Sequence, residues 1–166
     1  MQQIRRIIVP IDFQAHSAYQ ANVAMNMAKI LNARVTFLHV LGQLSDISDF
    51  EPATIKEVEN NFFLHADKKM SDFINKLNVG DMEVDGVVVS GNPADSIISF
   101  AKEKNADMII IGTHGAKGIE KILLGSVAER VIKGADCLCL VFNPFKKKWR
   151  YEDSERNYFQ PDKFTI

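Results

Sequence analysis

Five short runs of β-branched or otherwise apolar residues punctuate the chain: Ile7–Val9, Val35–Val40, Val84–Val89, Met108–Ile111 and Leu138–Phe142. Most are apolar almost throughout instead of alternating, which is how strands buried on both faces of a parallel sheet read. Between them, apolar residues step by three or four. Ala18, Ala21, Met25, Ala28 and Leu31 form one stripe, and Ile55, Val58, Phe62, Ala66, Met70, Phe73 and Leu77 a longer one. A third helix is predicted from Asn92, with Asn92 as N-cap, Pro93 in the first helical position and Asp95 reaching back as in a capping box. Ile97, Ile98 and Ala101 supply its buried face. A fourth helix is predicted from about Ser126 to Lys133, with Gly134 as its C-cap. The order β-α-β-α-β-α-β-α-β predicts an α/β fold: one domain with an open parallel five-stranded sheet and helices on both faces, Rossmann-like in type.

Such sheets bind ligands beyond the carboxyl ends of their strands, where the strand order switches. Asp12 stands just past the first run, and Gly112 directly follows Met108–Ile111. From there the spacing is Gly112-Thr-His-Gly115, nine residues, then Gly125-Ser126, where the fourth helix begins. A strand running into a glycine turn and then a helix N-terminus gathers backbone N–H groups, and glycine lets a phosphate approach them closely. The spacing is neither G-x-x-x-x-G-K-[ST] nor a G-x-G-x-x-G following the first strand.

Composition narrows the partners. With 166 residues the chain favours one domain that needs no disulfide or metal to hold it. Lys+Arg of 20 against Asp+Glu of 21 gives a net charge of −1, which argues against a dedicated nucleic-acid binder. No run reaches the ~18 apolar residues of a membrane span, and Ile7–Ile11, ended by Asp12, is too short for a signal peptide's apolar core. These features predict a cytoplasmic protein without a membrane partner. The two cysteines, Cys137 and Cys139, would share a strand face with Cα atoms about 6.6 Å apart, and read as small buried hydrophobes.

The chain resembles the universal stress protein family in its nucleotide-binding branch, whose G-x2-G-x9-G-[ST] pattern is matched by Gly112, Gly115, Gly125 and Ser126. The likeness extends to Ile7-Ile-Val-Pro-Ile-Asp-Phe13, Val35-Thr-Phe-Leu-His-Val40, Val89-Ser-Gly-Asn-Pro93, Ala106–Gly115 and Leu124–Val131, together covering residues 4–142. It implies an adenine nucleotide alpha hydrolase-like sheet and an adenine nucleotide as ligand (ATP, or ADP or AMP), with magnesium. By position it implies that Gly112, Gly115, Gly125 and Ser126 hold phosphates and ribose, with Val127 adding a backbone N–H. Pro10, Asp12 and Val40 would line the adenine end, and Ile111 would lie against the nucleoside.

Other readings stand beside these. Asp12 could be the N-cap of the first helix, a role compatible with a base or metal contact. His114 could meet phosphate or solvent, Lys117 and Lys121 could screen phosphate charge, His39 reads as a core or strand-end histidine, and Arg130 as a surface residue. The sequence departs from the family where Gln14 replaces a small hydroxyl residue and where the last strand opens Cys137-Leu138-Cys139 in place of Cys-Pro.

The resemblance also implies a homodimer joined through the last strand, Leu138–Phe142, which would otherwise be an exposed apolar edge. The role implied is regulatory or sensory, in a stress response. Phosphoryl transfer requires metal-holding carboxylates and a positioned base. Asp12 and His114 are candidates, but no acidic pair lies near the loop, so slow hydrolysis fits the sequence and efficient turnover does not. Residues 1–142 read as the domain and 143–166 as a tail. The tail carries Lys146-Lys-Lys-Trp-Arg150 and then Tyr151, Tyr158, Phe159 and Phe164, and could serve as an arm for protein contacts.

Overall fold

A computed structural model describes residues 3–42, 52–113 and 124–143. Nine elements follow one another: β1 (Arg6–Pro10), α1 (Ala15–Leu31), β2 (Arg34–Leu41), α2 (Pro52–Asn75), β3 (Val84–Ser90), α3 (Pro93–Glu103), β4 (Met108–Gly112), α4 (Ser126–Gly134) and β5 (Leu138–Phe142). The strands form one sheet in the order β3-β2-β1-β4-β5, and every neighbouring pair is parallel. The predicted fold class is therefore the observed one.

The pleat sorts the apolar strand residues between two cores. Ile7, Val9, Val35, Phe37, Met108 and Ile110 face α1 and α2, meeting Ala21, Ala24, Met25 and Ala28 of α1 and Ala66, Met70 and Phe73 of α2. Ile8, Leu38, Ile109 and Ile111 face the other way, onto Ala94, Ile97, Phe100 and Ala101 of α3 and Ala128 and Val131 of α4. Continuous apolar runs were needed because both faces of the central strands are covered.

Two cap expectations are corrected. Gly134 is the last residue of α4, not its left-handed cap; Ala135 follows at φ −77°. A Cβ on Gly134 would come within 2.7 Å of Ile98 Cδ1, so its smallness serves the contact between α4 and α3. Asp12 is not the N-cap of α1; that position is Gln14. Asn92 does cap α3, its side chain accepting from the Asp95 amide at 3.4 Å, with Pro93 at the helix start. The Asp95 carboxylate turns to α4, where Arg130 reaches it at 2.7 Å and Asn92 at 3.3 Å. Arg130 is exposed, as expected, and ties the two helices of that face together.

Candidate functional site

The strand order reverses between β1 and β4, and there the sheet opens. β1 pairs with β2 as far as Pro10–Leu38, and β4 with β5 as far as Gly112–Phe142. Between β1 and β4 the register runs through Ile7–Met108 and Ile8–Ile109 and stops. Beyond it the two carboxyl ends face each other across a crevice, at the position where open α/β sheets take ligands.

One wall is the end of β1. The Ile11 amide still donates to Leu38 O (2.8 Å), after which the chain turns sharply, with Phe13 at φ +60°. Asp12 holds this turn. Its Oδ1 accepts from the Gln14 amide (3.0 Å) and the Ser17 hydroxyl (3.0 Å), and His16 Nε2 lies 3.3 Å away. Its Oδ2 is buried and, among the described residues, has no hydrogen-bond partner. A buried carboxylate oxygen without a donor is costly. It is the natural acceptor for a donor that arrives from outside the chain. His39, on β2 beside this turn, is indeed a strand-end residue: its Nδ1 lies 2.8 Å from Ile11 O and its ring lies against Phe13, with centroids 4.4 Å apart and planes tilted by 40°.

The opposite wall is the end of β4. Thr113 donates to Phe142 O (2.8 Å) and accepts from the Gly125 amide (2.6 Å), so the two ends of the connecting loop are fastened together. Gly125 is the N-cap of α4, with φ −73°, ψ 151° and no side-chain cap. The first intrahelical bond is Glu129 N–H to Gly125 O (2.9 Å), which leaves the amides of the first turn, from Ser126 onward, outside the helical ladder. With the helix dipole they favour an anion at the crevice mouth.

The structure brings most of the expected site residues to this one end of the sheet. Pro10 and Asp12 lie at the end of β1, Val40 near the end of β2, and Ile111 and Gly112 at the end of β4. Gly125, Ser126 and Val127 start α4. Val40, Ile111 and Val127 pack into the core on the α3–α4 face. His114, Gly115, Lys117 and Lys121 lie outside the described residues.

Sequence reasoning missed Ser17 and Gln20, both buried on α1. Their signal is in the sequence: they fall on the stripe of Ala21, Ala24 and Ala28 at helical spacing, as polar residues on an apolar face. Cys137 and Cys139 are free, half-buried, and packed against the α3–α4 core. Burial pushes both thiols above their usual range, helped at Cys137 by the neighbouring Cys139, Asp107 and Asp136. Among the described residues no three histidine, cysteine or carboxylate groups gather as a metal site, and no helix is long and apolar enough to cross a membrane.

Comparison with known proteins finds chains similar in sequence and fold. The sequence model of the universal stress protein family matches residues 3–143. Universal stress protein MJ0531 of Methanocaldococcus jannaschii is 37% identical over 151 residues, spanning 87% of this chain and 85% of its own. Among solved structures, protein MJ0577 of the same organism superposes with TM-score 0.71 at 29% identity, covering 86% of this chain and 97% of its own. A universal stress protein in complex with cAMP superposes with TM-score 0.57 at 20% identity, over 86% of this chain and 99% of its own. One from Archaeoglobus fulgidus in complex with dAMP does so with TM-score 0.58 at 21% identity, over 84% and 98%.

Proposed function

The chain belongs to the universal stress protein family, and from that premise we propose that it binds an adenine nucleotide in the crevice between β1 and β4, as a regulatory or sensory protein. The observation that carries the reading is the pairing of two complementary features across one crevice. A buried acceptor, Asp12 Oδ2, waits on one wall, and uncapped first-turn amides stand on the other. Adenine offers an amino donor at one end of the ligand and phosphate offers negative charge at the other. The adenine nucleotides held by two fold relatives, cAMP and dAMP, support the same ligand class.

Pro10, Asp12 and Val40 take the adenine end, Ile111 meets the nucleoside, and Gly112, Gly125, Ser126 and Val127 meet ribose and phosphates. His114 and Gly115 complete the phosphate loop. Magnesium fits this site as a passenger on the phosphates, since it keeps much of its water and needs few protein ligands. Holding a nucleotide calls for these contacts and nothing more; the residues of the site are a binding set.

The protein acts as a homodimer joined through β5. That strand is the sheet's edge, and it exposes Leu138 (58%) and Val141 (36%). Isothermal titration of the purified protein with ATP, ADP and AMP, with and without magnesium, tests the ligand. A micromolar dissociation constant, about −8 kcal/mol, is expected for at least one of them. No heat and no competition with any of the three would overturn the reading.

A further inference from the structure

The carboxyl ends of β1 and β4 are joined by a residue that lies on neither strand. Where β1 and β4 part company beyond Ile8–Ile109, their carbonyls lose the sheet partners they would otherwise have. Gln20 of α1 is 3% exposed, and its side-chain amide lies across this parting. Nε2 donates to Pro10 O at 2.7 Å and to Ile110 O at 3.1 Å, one carbonyl from each strand. One amide group thus spends both hydrogens on the two edges of the split. Each bond fixes one edge relative to α1, so their separation is set by the width of one NH2 group.

The residues fixed in this way are those the site depends on. Pro10 is two residues before Asp12, and Ile110 is followed directly by Ile111 and Gly112. α1 also carries Ser17, one turn earlier, whose hydroxyl holds Asp12 Oδ1. The helix therefore grips both walls: Ser17 orients the carboxylate, and Gln20 sets the gap between the strands. An apolar residue of the same size would fill the volume and leave the gap unspecified.

We propose that Gln20 is a positioning residue for the nucleotide site, holding the ends of β1 and β4 at the separation that lets one ligand touch both. This rests on the nucleotide reading given above. The test compares Gln20→Met, close to isosteric but without donors, and Gln20→Glu, which at neutral pH sets an acceptor against two acceptors, with Leu77→Ala. Leu77 is a buried residue just past the end of α2, outside the site. Two readouts are taken on the full chain: ATP affinity by calorimetry, and amide hydrogen exchange at Ile111 and Gly112.

Gln20→Met is expected to lower ATP affinity at least tenfold and to speed exchange at Ile111 and Gly112, with Gln20→Glu more severe. Leu77→Ala is expected to lower the melting temperature at least as much while keeping affinity within twofold and leaving that exchange unchanged. Gln20 variants that behave like Leu77→Ala in both readouts would overturn the positioning role. Wild-type protein that binds no ATP, ADP or AMP would instead overturn the nucleotide reading, and the exchange comparison would then decide by itself whether Gln20 sets the gap.

Discussion

Asp12 divides its work between its two oxygens, and the division can be tested. Oδ1 is committed to the turn through Gln14 and Ser17, whereas Oδ2 has no partner among the described residues. Asp12→Asn can keep the first role while turning the second oxygen into a donor. It should fold normally and lose about tenfold or more in nucleotide affinity, roughly 1.4 kcal/mol. Asp12→Ala abandons both roles and should also destabilise the chain by about 1–3 kcal/mol, since the donors it leaves are partly buried. Equal affinity in wild type and Asp12→Asn would remove this residue from the site. A second prediction concerns the thiols. Because burial raises the pKa of Cys137 and Cys139, less thiolate is present at a given pH than in the unfolded chain. Iodoacetamide should label both more slowly in the folded protein than in urea at pH 8, with the gap narrowing as pH rises. At this scale the sequence was partly legible. Asp12 could be picked out by its place after the first strand, but its orphan oxygen arises from a turn through a left-handed Phe13, which no pattern signals. Gln20 was passed over because its meaning depends on where two other strands separate.

At the scale of elements, periodicity located every strand and helix to within a few residues, because each is covered on the faces its pattern requires. It erred where tertiary geometry overrides local rules. Gly134 has the residue type of a C-cap and is used for close helix packing instead. The apolar step of α2 continues to Phe62, yet that side chain is 52% exposed. The 24 residues of α2 span about 36 Å against about 23 Å for the seven-residue β3, and the buried residues of this stripe on α2, Ala66, Met70 and Phe73, all lie in its C-terminal half. Met70→Ala should therefore cost about 2–5 kcal/mol in urea unfolding, while Phe62→Ser should stay within about 0.5 kcal/mol. A comparable cost at both positions would mean that the first half of α2 is covered in solution. The N-terminus of α4 yields a fourth prediction. Gly125 has φ −73°, which any residue adopts, so the backbone does not require glycine there, and the proposed nucleotide site gives the missing side chain a use. Gly125→Val should still fold, at a cost of about 1 kcal/mol because valine is a poor N-cap, and lose nucleotide affinity at least tenfold; a variant that still binds would put the phosphates elsewhere.

At the scale of the molecule, the sheet order creates two consequences at once. It places the crevice at the middle, between β1 and β4, and it leaves β5 at the edge with Leu138 and Val141 exposed. The paired substitution Leu138→Lys and Val141→Lys should abolish the proposed pairing through β5, giving a folded monomer in sedimentation velocity at micromolar concentration. A wild-type monomer at that concentration would exclude dimerisation through β5. The order of elements along the sequence was enough to predict the sheet, because alternating strands and helices with right-handed crossovers have few ways to close. The glycine-serine motif and the aromatic tail were legible as motifs, and both carry residues, from 114 to 123 and from 144 onward, that lie outside the described part of the fold.

Whether the carboxyl ends of β1 and β4 hold an adenine nucleotide is decided by thermal unfolding with and without ligand. At a nucleotide concentration one hundredfold above a micromolar dissociation constant, binding to the native state adds about 2.7 kcal/mol. For a domain of this size that raises the melting temperature by roughly 5–10 °C. Such a rise is expected with ATP, ADP or AMP in wild-type protein, and its loss in Asp12→Asn and Gly125→Val. An unchanged melting temperature with all three nucleotides, in the presence of magnesium and with no nucleotide released from the purified protein on denaturation, would contradict it.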